Sequence, residues 1–327
     1  MTRERWIGVG SPDEWRAALT SIRYSFAHTW DYCRAMQSHS GRPTFLYEVE
    51  TNAGRFVCPI EERIFEDATD AVTPQGFSGF VGEGDSRQVS ECWARSACER
   101  EYVSGYLVQN PALENSVPFL EGDTFRDKCI YVWDLRPSLE ELYAGLASNR
   151  KPQVRNWDEV ASSLVTNRAR VASFLLKNYD EFFARRHASS THGLSPTSIA
   201  SLAELDDVYM VGMADGGELT AAAIFAYTSS GGDYLFNVSR PEGRRHSTAL
   251  VWSGAVHLKS LGVPHLNLGG GLVEGDGIAR FKSRFGAAKT PLPVVKQVYD
   301  HPRYVELCRR VGADPNDIAG YFPAYRR

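Results

Sequence analysis

The chain has 327 residues, 43% of them hydrophobic, 23% charged and 12% aromatic. That balance excludes disordered, collagen-like and coiled-coil classes and leaves a globular protein with a sizeable core, in two domains or one large one. A formal charge of −4 argues against bulk nucleic-acid packaging. The longest apolar stretch, Thr220 to Tyr227, is far shorter than the roughly 20 residues that a membrane helix needs. No apolar core or small-residue cleavage site of a secretory signal stands at the N-terminus, so a cytoplasmic location with reduced thiols is expected. Six cysteines (Cys33, Cys58, Cys92, Cys98, Cys129, Cys308) show neither Cys-x-x-Cys nor paired-His spacing and read as buried thiols, with no metal site signalled.

In chain order, Thr44 to Thr51, the turn cluster Asn52-Ala-Gly54 and Arg55 to Ile60 read as strand, tight turn and strand. A helix is expected over Arg87 to Leu107. The join between two halves is placed near Leu135 to Trp157, where Ser138-Leu-Glu-Glu141 is a capping box opening a helix and the basic stretch Arg150-Lys-Pro-Gln-Val-Arg155 follows. Val208 to Ala214, Asp215-Gly-Gly-Glu218 and Leu219 to Tyr227 then repeat the hairpin grammar. Another strand is read over Asp233 to Ser239, a helix over His246 to Leu261, and a short buried strand before Leu268. The economical fold class is a mixed α/β (α+β) protein built from a duplicated unit, with domains at 1–145 and 146–327.

Charge separates along the chain. Residues 1–150 carry 15 Lys and Arg against 23 Asp and Glu, a balance of −8, and residues 151–327 carry 21 against 17, a balance of +4. In the second half Arg240-Pro-Glu-Gly-Arg-Arg-His-Ser-Thr248 precedes the predicted helix. Free amides and the positive end of the helix dipole, with Arg244 and Arg245 as charge-assisted donors, suit a phosphate there. A solvated turn with exposed arginines is the alternative. Further on, Gly269-Gly-Gly271 lets backbone amides or a substrate approach closely.

Taken together, these segments resemble the Fem-type peptidyltransferases of the acetyltransferase-like (GNAT) superfamily, from about Tyr24 to Arg310. Phe26-Ala-His-Thr-Trp-Asp-Tyr32 resembles the opening helix of that family. Asp70-Ala-Val-Thr-Pro-Gln-Gly-Phe-Ser-Gly79 is similar to its Asp-x-x-x-Pro-Tyr-Gly-Tyr-Gly-Gly segment, with Gln75 replacing the usual tyrosine. Tyr102 to Pro111 and Asp134 to Leu142 are further similar segments. The most specific likeness is Leu268-Gly-Gly-Gly271 followed by Asp276-Gly-Ile-Ala-Arg-Phe-Lys-Ser-Arg-Phe285, matching the family's Leu-Gly-Gly-Gly and Asp-x-Leu-x-x-Phe-Lys-x-x-Phe motifs.

The resemblance implies two tandem GNAT-like subdomains, each a mostly antiparallel twisted sheet flanked by helices, sharing a central cleft, and a reaction in which an amine attacks an activated acyl carbonyl. It carries the catalytic roles onto Phe281 and Lys282. The ammonium of Lys282 would stabilise the oxyanion of the tetrahedral intermediate, and Phe281 would pack on the terminal adenosine or the acyl chain. Without the motif, Lys282 would read as a surface lysine on a helix. Asp276 reads first as the cap of that helix. His28 and His246 are candidate bases, each with a plain structural alternative.

Donor-binding expectations fall on Asn237, Ser239, Arg240, Arg244, Arg245, Ser247, Gly270 and Gly271, and acceptor-binding ones on Tyr32, Gln75 and Phe77. Fem-type enzymes take an aminoacyl-tRNA ester, ordinary acetyltransferases an acyl-CoA. A CoA-binding loop has Gln or Arg, two residues, Gly, one residue, then Gly or Ala; here Arg240, Gly243 and Arg245 hold those places, so a bulky side chain stands where a small one belongs. With the +4 second half, this favours the acceptor end of an aminoacyl-tRNA as partner.

The expected activity is therefore transfer of an aminoacyl group from tRNA to the amine of a small molecule, as in natural-product biosynthesis, or of a peptidoglycan precursor. No bound cofactor or metal is expected, and the sequence does not indicate an oligomeric state. The alternatives are an acyl-CoA-dependent N-acyltransferase and a catalytically silent tRNA-binding scaffold. With Lys128 as the one lysine of an acidic first half, a small amine-bearing metabolite fits better there than a doubly phosphorylated cell-wall nucleotide.

Overall fold

Capping and turn residues set the local structure. In the computed structural model, which describes residues 2–113, 115, 117, 119, 121–184, 195–271 and 275–327, β1 (Arg3–Gly8) is followed by α1 (Pro12–Leu19) and α2 (Trp30–Ser40). The Thr29 hydroxyl accepts from the Tyr32 amide at 3.3 Å to open α2, and Gly41, at φ +68°, closes it in left-handed backbone. Next come β2 (Thr44–Glu50), β3 (Gly54–Phe65), β4 (Ala68–Val72), β5 (Val81–Gly84), α3 (Val89–Glu99) and β6 (Tyr102–Val108). β1 to β4 pair in antiparallel order and β5 pairs antiparallel with β3, whereas β4 runs parallel to β6 with α3 as the crossover.

The expected helix over Arg87 to Leu107 is thus two elements. Glu101 takes a positive φ of +57°, which breaks the helix, and Tyr102-Val-Ser-Gly-Tyr-Leu-Val, rich in β-branched and aromatic residues, continues as a strand.

Strand β7 (Thr124–Asp134) leads to α4 (Leu139–Gly145), where the Ser138 hydroxyl accepts from the Glu141 amide at 3.2 Å and the Glu141 carboxylate from the Ser138 amide at 2.8 Å. Then follow α5 (Trp157–Ala161), β8 (Leu164–Val165), α6 (Arg168–Ala184), α7 (Pro196–Ala203), β9 (Val208–Asp215), β10 (Glu218–Thr228), β11 (Gly231–Ser239), α8 (Ser247–Ser260), β12 (His265–Asn267) and α9 (Gly277–Lys282). The β9–β10 turn is Gly216-Gly217 with φ of +57° and +91°, the positive pair that a two-residue hairpin demands. β8 to β11 pair antiparallel, β12 lies parallel to β11 across the α8 crossover, and the far end of β7 pairs antiparallel with β12. The chain ends through β13 (Ala288–Val298) and α10 (His301–Val311).

Two units result, one of Met1–Lys128 with Pro291–Arg327 and one of Cys129–Thr290. Each contains a hairpin, a further strand, a helix and a parallel strand, and the fold is the mixed α/β duplication expected. The division differs from a cut at 145/146: β7 carries the chain into the second unit, and β13 returns to pair antiparallel with β6, from Val294 opposite Val108 to Val298 opposite Ser104. Strand exchange of this kind leaves no local signal. It also redistributes charge. By unit, Lys and Arg against Asp and Glu become 19 − 24 = −5 and 17 − 16 = +1; the C-terminal segment, with 6 against 4, carried half of the second half's surplus.

The core of the second unit runs through Phe225, Leu250, Val251, Leu266 and Phe285, all fully buried. Burial of each such side chain contributes about 1.5–3 kcal/mol. In the first unit Tyr47, Phe80 and Trp93 pack edge to face, the quadrupole-favoured geometry. Among the described residues, no helix is long and apolar enough to cross a membrane.

Candidate active site

In the second unit the site grows from the fork between β11 and β12. Their parallel pairing covers Gly232 opposite Leu266 and Asp233 opposite Asn267. The buried Asn267 amide nitrogen donates to Asp233 Oδ1 at 3.1 Å, while its oxygen accepts from the Gly269 amide at 2.8 Å, fixing the start of the glycine triplet. Gly269 has φ +72°, a region open to glycine. Gly270 is pressed on β7, where an added Cβ would lie 2.6 Å from the Cys129 carbonyl oxygen. Gly271 is half-buried at the loop's edge.

Onto this loop comes the end of α9. Asp276 caps it, accepting from the Ala279 amide at 2.7 Å. Below it Phe285 is fully buried, with Trp133 at 5.4 Å and Phe281 at 5.2 Å between ring centroids, so the helix is anchored by aromatic packing. Lys282 Nζ donates to the Gly270 carbonyl at 2.8 Å. Burial lowers its pKa to about 8 against the opposing attraction of Asp276, which leaves an ammonium at neutral pH with little water around it. Phe281 is half-buried at the edge of the core, with the Arg150 guanidinium 4.7 Å from its ring centroid.

The arginine turn is more self-contained than its composition suggests. Glu242–His246 form a 3-10 turn running straight into α8, and within it the Gly243 amide donates to the Arg240 carbonyl at 3.1 Å. A Cβ on Gly243 would meet the Thr220 carbonyl oxygen at 2.1 Å, so packing on β10 already demands glycine there. Arg245 pairs with Asp215 at 2.8 Å, and His246 reaches the same carboxylate at 3.0 Å, holding its pKa down to about 2. Arg240 donates to the Asn178 side chain at 3.3 Å and lies 3.5 Å from Glu218. Asn237 and Ser247 meet side chain to side chain at 3.3 Å, Ser247 donates to the Arg244 carbonyl at 3.1 Å, and the Arg244 side chain is exposed. Ser239 is buried at the end of β11, opposite Ala221.

In the first unit the three expected acceptor residues share one turn. The Tyr32 hydroxyl donates to the Gln75 carbonyl at 2.7 Å, leaving the Gln75 side chain exposed, and the Phe77 carbonyl accepts from Ser25 at 2.7 Å and Asn110 at 3.0 Å. His28 is structural. It is fully buried between Ser25 and the Gly79 carbonyl, and desolvation lowers its pKa to about 4, so it stands neutral at physiological pH.

Two residues of the second unit were not among the sequence expectations for the site. Desolvation pushes the Asp233 carboxyl up to about 7, with the Asn267 bond opposing it. Arg150 was noted only as part of a basic stretch. Both owe their setting to cross-strand and long-range neighbours, which no local pattern displays.

No protein-family model matches the chain, and no curated protein matches its sequence. Solved structures do match. FemX superposes with a TM-score of 0.67 at 12% identity, over 93% of this chain and 99% of that one. A C-terminal domain (DUF2156) from Agrobacterium fabrum, provisionally named a lysylphosphatidylglycerol synthetase, gives 0.57 at 15% identity over 88% and 91%. The L-PGS of Bacillus licheniformis gives 0.56 at 11% identity over 91% and 96%. The chain therefore shares its fold with FemX and with these two synthetase structures.

Proposed function

We propose that this chain is an acyltransferase that forms an amide, moving an aminoacyl group from a tRNA ester to the amine of a small acceptor. The observation that carries the reading is the Lys282 ammonium, desolvated and held on the Gly270 carbonyl 2.8 Å away. As the amine attacks, the new N–C bond forms and negative charge grows on the former carbonyl oxygen. A preorganised ammonium in a poorly hydrated setting stabilises that charge. The C–O ester bond then breaks, the ribose oxygen leaves and takes up a proton from solvent, and the amine's proton passes to solvent or to a carboxylate. Asp233, near neutrality at the fork, suits that last task by its pKa. The turn holding Tyr32, Gln75 and Phe77 is assigned to the acceptor, and both substrates point to a cytoplasmic protein.

An acyl-CoA donor is the second reading. The balance of +1 in the second unit favours it by removing the charge surplus that tRNA would use. The arginine turn weighs against it, because the Gly243 amide is already bonded and Arg245 fills the small-residue position.

The test is incubation with mixed charged tRNAs and a cell extract, followed by mass spectrometry for a new aminoacyl mass. Ribonuclease should abolish the product, and Lys282→Ala should slow it roughly 10²–10³-fold, as loss of one oxyanion donor does. A product that survives ribonuclease and needs acyl-CoA overturns the tRNA donor. An unchanged rate in Lys282→Ala overturns the catalytic role, and no turnover with either donor leaves a silent scaffold.

A further inference from the structure

Among the described residues, Arg150 is an arginine without a counter-ion in a place built to hold it. The turn before it is tied to the end of α9, since the Ala147 amide donates to the Arg284 carbonyl at 3.0 Å and the Arg150 amide to the Ala147 carbonyl at 2.8 Å. Its Nη1 donates at 3.0 Å to the hydroxyl of Thr248, a fully buried residue in the first turn of α8, and its guanidinium plane covers Phe281. The Nε is buried with no acceptor. Among the described residues no carboxylate pairs with Arg150, and the charged neighbour that perturbs it is another cation, the exposed Arg284, which likewise has no acidic partner. Arg240 and Arg245, by contrast, are engaged within the protein.

A half-buried guanidinium whose Nε finds no acceptor is desolvated with no anion to offset the loss of water. The fork geometry of arginine matches phosphate oxygens in pairs. We infer that Arg150, with Arg284 beside it, seats a phosphate group of the acyl donor next to Phe281 and Lys282. This rests on the acyl-transfer reading of the site and adds to it the group that positions the donor. A phosphate that lies beside the reacting ester belongs to a 3′-terminal nucleotide, because in an acyl-CoA the thioester is a whole pantetheine arm away from the pyrophosphate. Phosphate is common to both donors, so the test has an arm for each.

Binding of a fluorescent RNA hairpin ending in single-stranded CCA, and separately of CoA, is measured on the full chain for wild type, Arg150→Gln, Arg150→Lys, Arg284→Gln and, as control, the exposed Arg155→Gln. The expected result is at least a tenfold loss of RNA affinity for Arg150→Gln, a smaller loss for Arg284→Gln and none for Arg155→Gln. The slope of log affinity against log salt should flatten by about 0.7 in Arg150→Gln and stay near wild type in Arg150→Lys, which keeps the charge. Thermal melts separate folding from binding, and a purely packing role would lower the melting temperature of both Arg150 variants without changing the salt slope. The same loss seen with CoA and not with RNA keeps a phosphate contact at Arg150 but overturns its place beside the reacting ester. RNA or CoA binding by wild type that is unaltered in Arg150→Gln, slope included, overturns the inference alone. If wild type binds neither, the functional reading fails, and pyrophosphate decides the seat: it stands if pyrophosphate raises the melting temperature of wild type and not of Arg150→Gln, and falls otherwise.

Discussion

Each unit has an aspartate at its parallel-strand junction, Asp70 opposite Ser104 on β4 and β6, Asp233 opposite Asn267 on β11 and β12. The two are treated differently by what surrounds them. Asp70 is buried and saturated: it accepts from Ser104 at 2.8 Å, from the Tyr325 hydroxyl and from Arg326 Nε at 2.6 Å, so its charge is matched by a cation from the C-terminal segment. Asp233 has the Asn267 amide and no cation among the described residues, and its carboxyl moves up to about 7. One duplicated position has become a structural clamp and the other a titrating group beside the glycine triplet that receives Lys282. Unpaired desolvation at a fold junction is what separates a candidate site from a scaffold.

The largest effect should come from unmaking the clamp. Asp70→Ala leaves Arg326 without its partner and should destabilise the protein by about 3–5 kcal/mol, read from urea unfolding. A loss under about 1 kcal/mol, the range of exposed pairs, would erase the contrast.

Asp233→Asn should act in the opposite direction. The unfolded carboxyl ionises near 3.9, the folded one near 7, so across that window the unfolded chain releases its proton first and wild-type stability falls as pH rises. The amide has no such penalty and can still accept from Asn267. Its melting temperature relative to wild type should therefore climb from pH 4 to pH 8, and a difference that is flat across this range would show Asp233 to be ordinarily solvated.

Much of the architecture was readable because its signals are local. The Gly216-Gly217 turn, the Ser138 box, the Asp276 cap and the α8 helix depend on residues a few positions apart, and each stands where expected. The motif around Lys282 likewise places its lysine on the glycine loop. What could not be read was pairing across long separations. The return of β13 to β6 moved the domain division and with it half of the apparent charge asymmetry. Arg244 and Arg245 look alike in sequence, yet Asp215, in the preceding hairpin, takes up Arg245 while Arg244 is exposed. Asp233 and Arg150 stand out only once Asn267, Thr248 and Phe281 are seen against them.

The claim on which the account turns is that the Lys282 ammonium steadies the developing oxyanion. The most direct measurement is the ratio of transfer rates, wild type over Lys282→Arg, as a function of pH with one acceptor amine, since that amine's own titration cancels in the ratio. The folded pKa of about 8 predicts a ratio that is level at neutral pH and falls up to about tenfold per pH unit above 8, as lysine loses its proton and arginine keeps it. A ratio that stays level from pH 7 to pH 10 would contradict the claim.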